Sequence, residues 1–361
     1  MGIRTFAVGS AVLAAGIMAI GAGGAAASAT KPAVREGRTV TASAVRGGQT
    51  EAEAATSATT TASAAGTGAA SSPDARGRAG ICTSPPAYRA LAAKLSADIQ
   101  GALHGRAGHH AVAAYDTVTG VSCYAGSDRH FASASIVKAI ILAALLRWHQ
   151  EAGLPLSPEE QGQATLMITQ SDNDAATYLW NEVGMSRLQH FLDLAQMSET
   201  QLGQDGYWGL TQVTAHDEML LLRLLTTANS VLSASSRSYQ LGLMARVISW
   251  QRWGTPAGAP SDVTVHVKNG WLPDGTGWHI NSIGAFTGKN KNYLIAVLTD
   301  ADPSEQYGID TIQAVAQVVH RDLNEARSIP KARLAANVAP PSPEPSPWAV
   351  VPALPTPPPA P

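Results

Sequence analysis

Apolar positions recur at helical spacing over 86–104 (Leu91, Leu95, Ile99, Leu103). Two short runs at 110–115 and 120–124 then alternate like strands joined through Asp116-Thr117. From 135 to 150 the series Ile136, Ala139, Ile140, Ala143 and Leu146 is apolar almost all round, which predicts a helix buried in the middle of the fold. Further helical patterns follow at 158–169, 174–183, 185–196, 215–228 and 234–248. Strand patterns return at 263–268, 278–286 and 293–299, before an amphipathic helix at 305–325. Strands at both ends around a helical middle predict an α+β fold: an antiparallel sheet built from both ends of the domain, flanked by helices, with an inserted helical lobe.

The chain termini lack these patterns. Residues 30–80 contain no Leu, Ile, Met, Phe, Tyr or Trp, and their three valines cannot offset the entropy of ordering the segment, so a disordered spacer is expected. Residues 331–361 form a Pro-rich tail, with 11 of the 22 prolines between Pro340 and Pro361, and an extended polyproline-II-like conformation is expected there. The first 29 residues read as an export signal: Arg4 supplies a positive start, Ala7 to Ile20 an uncharged apolar run, and Ala27-Ser28-Ala29 a cleavage site. No cysteine follows that run, so a lipid attachment site is not expected. The protein is therefore expected to be secreted, extracellular or associated with the cell wall. What remains, 81–330, is one large domain or two intertwined lobes, expected as a monomer.

Composition narrows the partners. Net charge is −2 and only 14% of residues are charged, so neither nucleic acid nor an anionic membrane is an expected partner. Cys82 and Cys123 are the only cysteines. In an exported protein they are most simply a disulfide closing a loop of about 40 residues, worth about 3–4 kcal/mol in the chain-entropy model. His109-His110, His216 and His279 lack metal-ligand spacing, so no metal and no cofactor is expected, and no Gly-x-Ser-x-Gly elbow is present to support a histidine triad.

The chemistry-bearing signal is Ser135-Ile136-Val137-Lys138. A hydroxyl and an amine three positions apart share one helical face, and a lysine in an apolar setting can lose its charge and accept the hydroxyl proton. Ser171-Asp172-Asn173 falls between two helical patterns, where alone it would read as a helix cap. Lys268-Asn269-Gly270 ends a strand-like run, where alone it would read as a strand end and turn.

In this order, the three fragments resemble the S-x-x-K, S-D-N and K-T-G set of class A β-lactamases and penicillin-binding proteins, and the runs at 269–271 and 278–284 look like the secreted actinobacterial serine hydrolases of that superfamily. The resemblance implies Ser135 as acylated nucleophile, Lys138 as its proton acceptor and Ser171 as relay to the leaving nitrogen. It further implies Asn173 as substrate-binding amide, Lys268 as source of positive potential, and the backbone N–H groups of Ser135 and Trp271 as an oxyanion hole beside Gly270.

Three departures bear on the reaction. Asn269 replaces a hydroxyl residue, so an amide would have to meet the substrate carboxylate. The step from Ser135 to Ser171 is 36 residues (171 − 135), short for class A, which implies a more open cleft. Candidates for the deacylation base are Glu199, in Glu199-Thr200-Gln201-Leu202-Gly203, and Asp205, the sole carboxylate of a shortened omega loop at 203–210; the second alignment is preferred and leaves the base missing or unfamiliar. Trp250, Trp253, Trp271 and Trp278 line a substrate cleft or pack in the core. The expected activity is β-lactam hydrolysis through a Ser135 acyl-enzyme. A D,D-peptidase acting on peptidoglycan peptides and a non-catalytic binder of cell-wall peptide are the alternatives.

Overall fold

The computed structural model describes residues 80–328; the expected signal, spacer and proline tail lie outside these residues, except for the spacer's last residue, Gly80. Strands β1 (Cys82–Thr83), β2 (His109–Asp116) and β3 (Ser122–Ala125) come from the N-terminal side. Strands β6 (Thr264–Asp274), β7 (Gly277–Gly288) and β8 (Lys291–Asp302) come from the C-terminal side. They form one six-stranded antiparallel sheet in the order β1-β3-β2-β8-β7-β6. The sheet built from both ends of the domain is therefore present. A further ladder, β4 (Phe131–Ala132) with β5 (Gln212–Val213), is too short to leave an alternating pattern in the sequence.

Period-2 alternation divides the sheet's side chains between two cores. Ala111, Ala113, Ile283, Ala285 and Ala296 face one, and Val112, Ala114, Phe286, Ile295 and Val297 face the other. Helix α1 (Arg89–Leu103) and helix α7 (Glu305–Ser328) cover the second face through Leu91, Leu95, Ile99, Ile312, Val315 and Val319. The first face carries the inserted lobe: α2 (Val137–Ala152), α3 (Pro158–Thr169), α4 (Asn173–Ala195), α5 (Ala215–Thr226) and α6 (Ala234–Met244). Every residue of α2 from Val137 to Leu146 is buried, as its all-round apolarity requires.

Local chemistry sets the helix ends. Ser157 and Glu160 form a reciprocal capping box at α3, with Pro158 in the first turn. The two helical patterns at 174–183 and 185–196 are two helical segments within α4, separated at Gly184, whose φ of 73° and ψ of 156° are not helical. The pattern expected to run to residue 248 stops at Met244, and Ser249–Gln251 form a 3-10 turn instead. A second correction matters for the site. The strand expected at 263–268 continues to Asp274, so Lys268-Asn269-Gly270 lie inside β6, paired with Ile283, Ser282 and Asn281. As the edge strand, β6 tolerates both Gly270, read as the start of a turn, and Pro273.

Cys82 and Cys123 are disulfide-bonded, and they are also register partners across β1 and β3. No helix among the described residues is long and apolar enough to cross a membrane.

Candidate active site

Ser135 sits in a 3-10 turn (Ala134–Ile136) that leads into α2, half-buried at the floor of a cleft of about 400 Å³. Three non-local contacts hold this turn. The Asn281 amide of β7 donates to the carbonyls of Ala132 (2.8 Å) and Ser133 (3.1 Å), and the Ser133 N–H donates to the Thr211 carbonyl (2.8 Å). The third is steric. A Cβ on Gly270 would lie 2.6 Å from Ser135 N and 2.8 Å from the Ser133 carbonyl, so β6 reaches the turn only because position 270 has no side chain.

Lys138 is completely buried one helical turn beyond Ser135. Its ammonium donates to the Ser171 carbonyl (2.6 Å) and to Asn173 Oδ1 (2.7 Å), contacts Ser171 Oγ (3.3 Å), and lies 4.7 Å from the centre of the Trp208 ring. Burial pulls its pKa down to about 7, opposed only partly by the charge of Asp172. Lys268, reaching across from β6, is also fully buried and donates to Ser171 Oγ (2.9 Å) and to the Asn269 carbonyl (2.8 Å). Burial, and then the neighbouring Lys138 charge, hold it well below the usual lysine value. Two amines thus converge on one hydroxyl.

The Ser171-Asp172-Asn173 segment is both cap and site. Asp172 accepts the Ala175 N–H (2.8 Å) as the N-cap of α4, which turns Ser171 and Asn173 toward Lys138. Ser171 (φ 59°) and Ala134 (φ 46°), on either side of the cleft floor, are among the few non-glycine residues in the left-handed region. Helices α2 and α3 fill the interval between Ser135 and Ser171.

The other expected residues are distributed unevenly. Trp271 lines the cleft together with Tyr207, Trp208 and Leu272. Asn269 is buried and its amide nitrogen is committed to the carbonyls of Gln251 (2.8 Å) and Trp253 (2.9 Å) rather than to the cleft. Glu199 and Asp205 are not among the lining residues. The Glu199 carboxylate is exposed 4.0 Å from the His130 ring, and Asp205 is exposed at the start of the loop whose later residues, 206–210, do line the cleft. Trp208 and Asn281 are site residues that sequence reasoning passed over. Trp208 stood in a loop of small and polar residues, and Asn281 becomes visible only through its strand partner, Gly270.

Of the expected histidines, His109 and His279 pair with Asp300 (2.5 Å) and Asp274 (2.6 Å). Trp253 and Trp278 pack against the second core.

Residues 161–323 match the model of the Beta-lactamase enzyme family. Among solved structures, PBP-A superposes with a TM-score of 0.57 at 21% identity, covering 64% of this chain and 96% of that one. A β-lactamase from Xanthomonas campestris gives 0.57 at 17%, covering 64% and 98%. The fold is β-lactamase-like. Within that fold, the TLA-3 extended-spectrum β-lactamase matches with a TM-score of 0.56 at 17% identity, covering 63% of this chain and 98% of its own. Over 196 residues the chain is 26% identical to "Putative lipoprotein LppW" of Mycobacterium tuberculosis and of Mycobacterium bovis, covering 52% of this chain. It spans 61% of the length of these curated relatives.

Proposed function

We propose that this protein is an exported serine hydrolase, acylated at Ser135 by β-lactams or by peptide amides of the cell wall. The observation that carries the reading is the convergence of Lys138 and Lys268 on Ser171, directly behind the turn that presents Ser135. In the proposed step, neutral Lys138 takes the Oγ proton of Ser135 as that oxygen bonds to the substrate carbonyl carbon. The backbone N–H groups of Ser135 and Trp271 stabilise the oxyanion. The carbon–nitrogen bond then breaks, and Ser171, fed by Lys138 and oriented by Lys268, delivers the proton to the leaving nitrogen. Asn173, held by Lys138, orients the acyl side of the substrate. Asn269 takes a positioning role, anchoring the segment that contains Gln251 and Trp253.

Export is supported by the N-terminal signal pattern and by the likeness to a protein named as a lipoprotein. A mutant of PBP-A has been solved as an acyl-enzyme complex with penicillin G, which supports the acylation half of the cycle by likeness of fold.

One observation favours a second reading of the other half. No carboxylate is among the residues lining the cleft, so a water-activating base is not placed beside Ser135 in the manner of efficient hydrolysis. This favours a long-lived acyl-enzyme, and hence the D,D-peptidase alternative. A time course of intact mass with excess benzylpenicillin, with product followed in the same tube, tests both. A one-to-one adduct on Ser135 that persists supports the peptidase-type reading. Rapid product with little adduct supports a β-lactamase and returns attention to Glu199 and Asp205. Neither adduct nor product, or an adduct that survives Ser135→Ala, refutes the proposal.

A further inference from the structure

Resting on the acyl-enzyme reading above, the surroundings of Lys138 bear on how long an acyl group stays on Ser135. Three acceptors meet the Lys138 amine: the Ser171 carbonyl, Asn173 Oδ1 and Ser171 Oγ. The face of the Trp208 ring, 4.7 Å away, covers it from the loop at 203–210. Lys138 has no surface open to solvent, although Trp208 itself lines the cleft. The charged groups facing Lys138 are Asp172, at the N-cap of α4, and Lys268, on β6. The loop adds no charge there, because its carboxylate, Asp205, is exposed and is not among the lining residues.

The ring is held in place from two sides. Its indole N–H donates to Thr177 Oγ1 (3.1 Å), and the Thr177 hydroxyl donates to the Asn173 carbonyl (3.0 Å), so Trp208 is anchored to the same turn of α4 that supplies Asn173 to Lys138. The loop is drawn tight as well. The Gly203 N–H donates to Thr211 Oγ1 (3.0 Å), the Thr211 N–H donates to the Trp208 carbonyl (3.1 Å), and a Cβ on Gly203 would collide with the Tyr207 carbonyl. Thr211 in turn accepts the Ser133 N–H, which ties the loop to the turn that presents Ser135. A water that hydrolyses a Ser135 ester needs a base beside it, and here the proposed proton acceptor lies under an aromatic face.

We propose that Trp208 is a positioning residue that keeps water from Lys138 and thereby prolongs the life of the acyl-enzyme. The step it retards is hydrolysis: the water oxygen bonds to the ester carbon, the Ser135 Oγ–carbon bond breaks, one water proton passes by way of Lys138 to Oγ, and the free acid leaves. Nothing is oxidised or reduced.

The test uses the full chain acylated by benzylpenicillin, with acylation rate and adduct lifetime followed by intact mass as pH is varied and the adduct located by peptide mapping. Trp208→Ala should shorten the adduct lifetime by about tenfold or more. Admitting water also hydrates the charged amine and favours its protonated form, so in the same variant the pH midpoint of acylation should move upward by about one unit. Trp208→Phe, which keeps a ring face, should restore both toward the parent. Thr177→Val, a change at an exposed position, removes only the anchor of the indole and should shorten the lifetime by about threefold; it decides the matter if circular dichroism shows that Trp208→Ala does not fold. An unchanged lifetime in the folded variants overturns the inference, and so does rapid turnover by the parent; both leave acylation at Ser135 standing. A shorter lifetime in Trp208→Ala with an unmoved pH midpoint marks a loosened loop rather than an uncovered amine and overturns it too. Absence of a Ser135 adduct in the parent overturns both readings.

Discussion

Replacing Gly270 by alanine tests the contact that joins the sheet to the nucleophile. The added carbon would lie 2.6 Å from Ser135 N, 2.8 Å from the Ser133 carbonyl oxygen and 2.9 Å from Ile136 N. All three are backbone atoms, so no side chain can swing aside. Reaching an ordinary contact of 3.4 Å requires the strand and the turn to separate by roughly 0.5–0.8 Å. Overpacking of this kind costs about 1–3 kcal/mol, which for a domain of this size lowers Tm by about 2–12 °C. The larger effect is on rate. The Ser135 and Trp271 N–H groups lie on opposite sides of the widened gap, and a displacement approaching 1 Å costs about 100-fold in a reaction that depends on positioning. Gly270→Ala should therefore fold, unfold a few degrees early, and acylate with a penicillin roughly two orders of magnitude more slowly. The measurement is the pseudo-first-order rate of adduct formation by intact mass, beside circular dichroism to show that the sheet persists. An acylation rate within threefold of the parent, with an unchanged Tm, would refute the argument that β6 and the Ser135 turn form one oxyanion-binding unit.

Two further outcomes follow from the same geometry. Because burial brings Lys138 down to about 7, the acylation rate should rise with pH to a plateau, with its midpoint near 7. Lys138→Arg, a cation at every accessible pH, should be flat between pH 6 and 9 and slower by about 10²–10⁴-fold; a rising limb that survives in this variant would exclude Lys138 as the base. Replacing both Cys82 and Cys123 by serine should cost about 3–4 kcal/mol of stability and leave acylation unchanged, because β1 and β6 are opposite edges of the sheet. Paired thermal scans and adduct rates measure the two effects separately.

Much of the fold was legible because it follows from local periodicity. The all-round apolar run from Ile136 to Leu146 could only be a buried helix, and Lys138 within it was conspicuous as a charge where the pattern demands carbon. The helical pattern at 158–169 coincides with α3, whose start the structure shows to be set by a Ser157–Glu160 capping box. What escaped is non-local. The length of β6 depends on its pairing with β7, which overrides the turn signal of Asn269-Gly270. The short β4–β5 ladder exists because Thr211 to Val213 comes back against Phe131 to Ser133. Asn269 illustrates the limit most directly. Its residue type suggested a hand for the substrate, but successive strand residues point to opposite faces, and Lys268 already takes the side toward Ser171.

The energetics of the site bear on the choice between an enzyme and a mere binder. The drop in Lys138 from 10.5 to about 7 corresponds to about 5 kcal/mol of preference for the neutral side chain, against a total stability of about 5–15 kcal/mol for a typical domain. The unfolded chain binds this proton more tightly, so the penalty is complete below pH 7 and is relieved as pH rises toward 10.5: folding stability increases with pH across that window as far as this group is concerned. Lys268 adds a second penalty of the same sign, deepened by its proximity to the first. Left-handed Ala134 and Ser171 add about 1–3 kcal/mol each. These costs are concentrated within the few residues around Ser135, where a cleft that only bound peptide could use methionine or leucine at position 138 and an unstrained loop at 171. An arrangement that sets two buried amines on one serine hydroxyl gains nothing for affinity. Under the proposed function it supplies a proton acceptor and a relay at neutral pH, which acyl transfer to Ser135 would require.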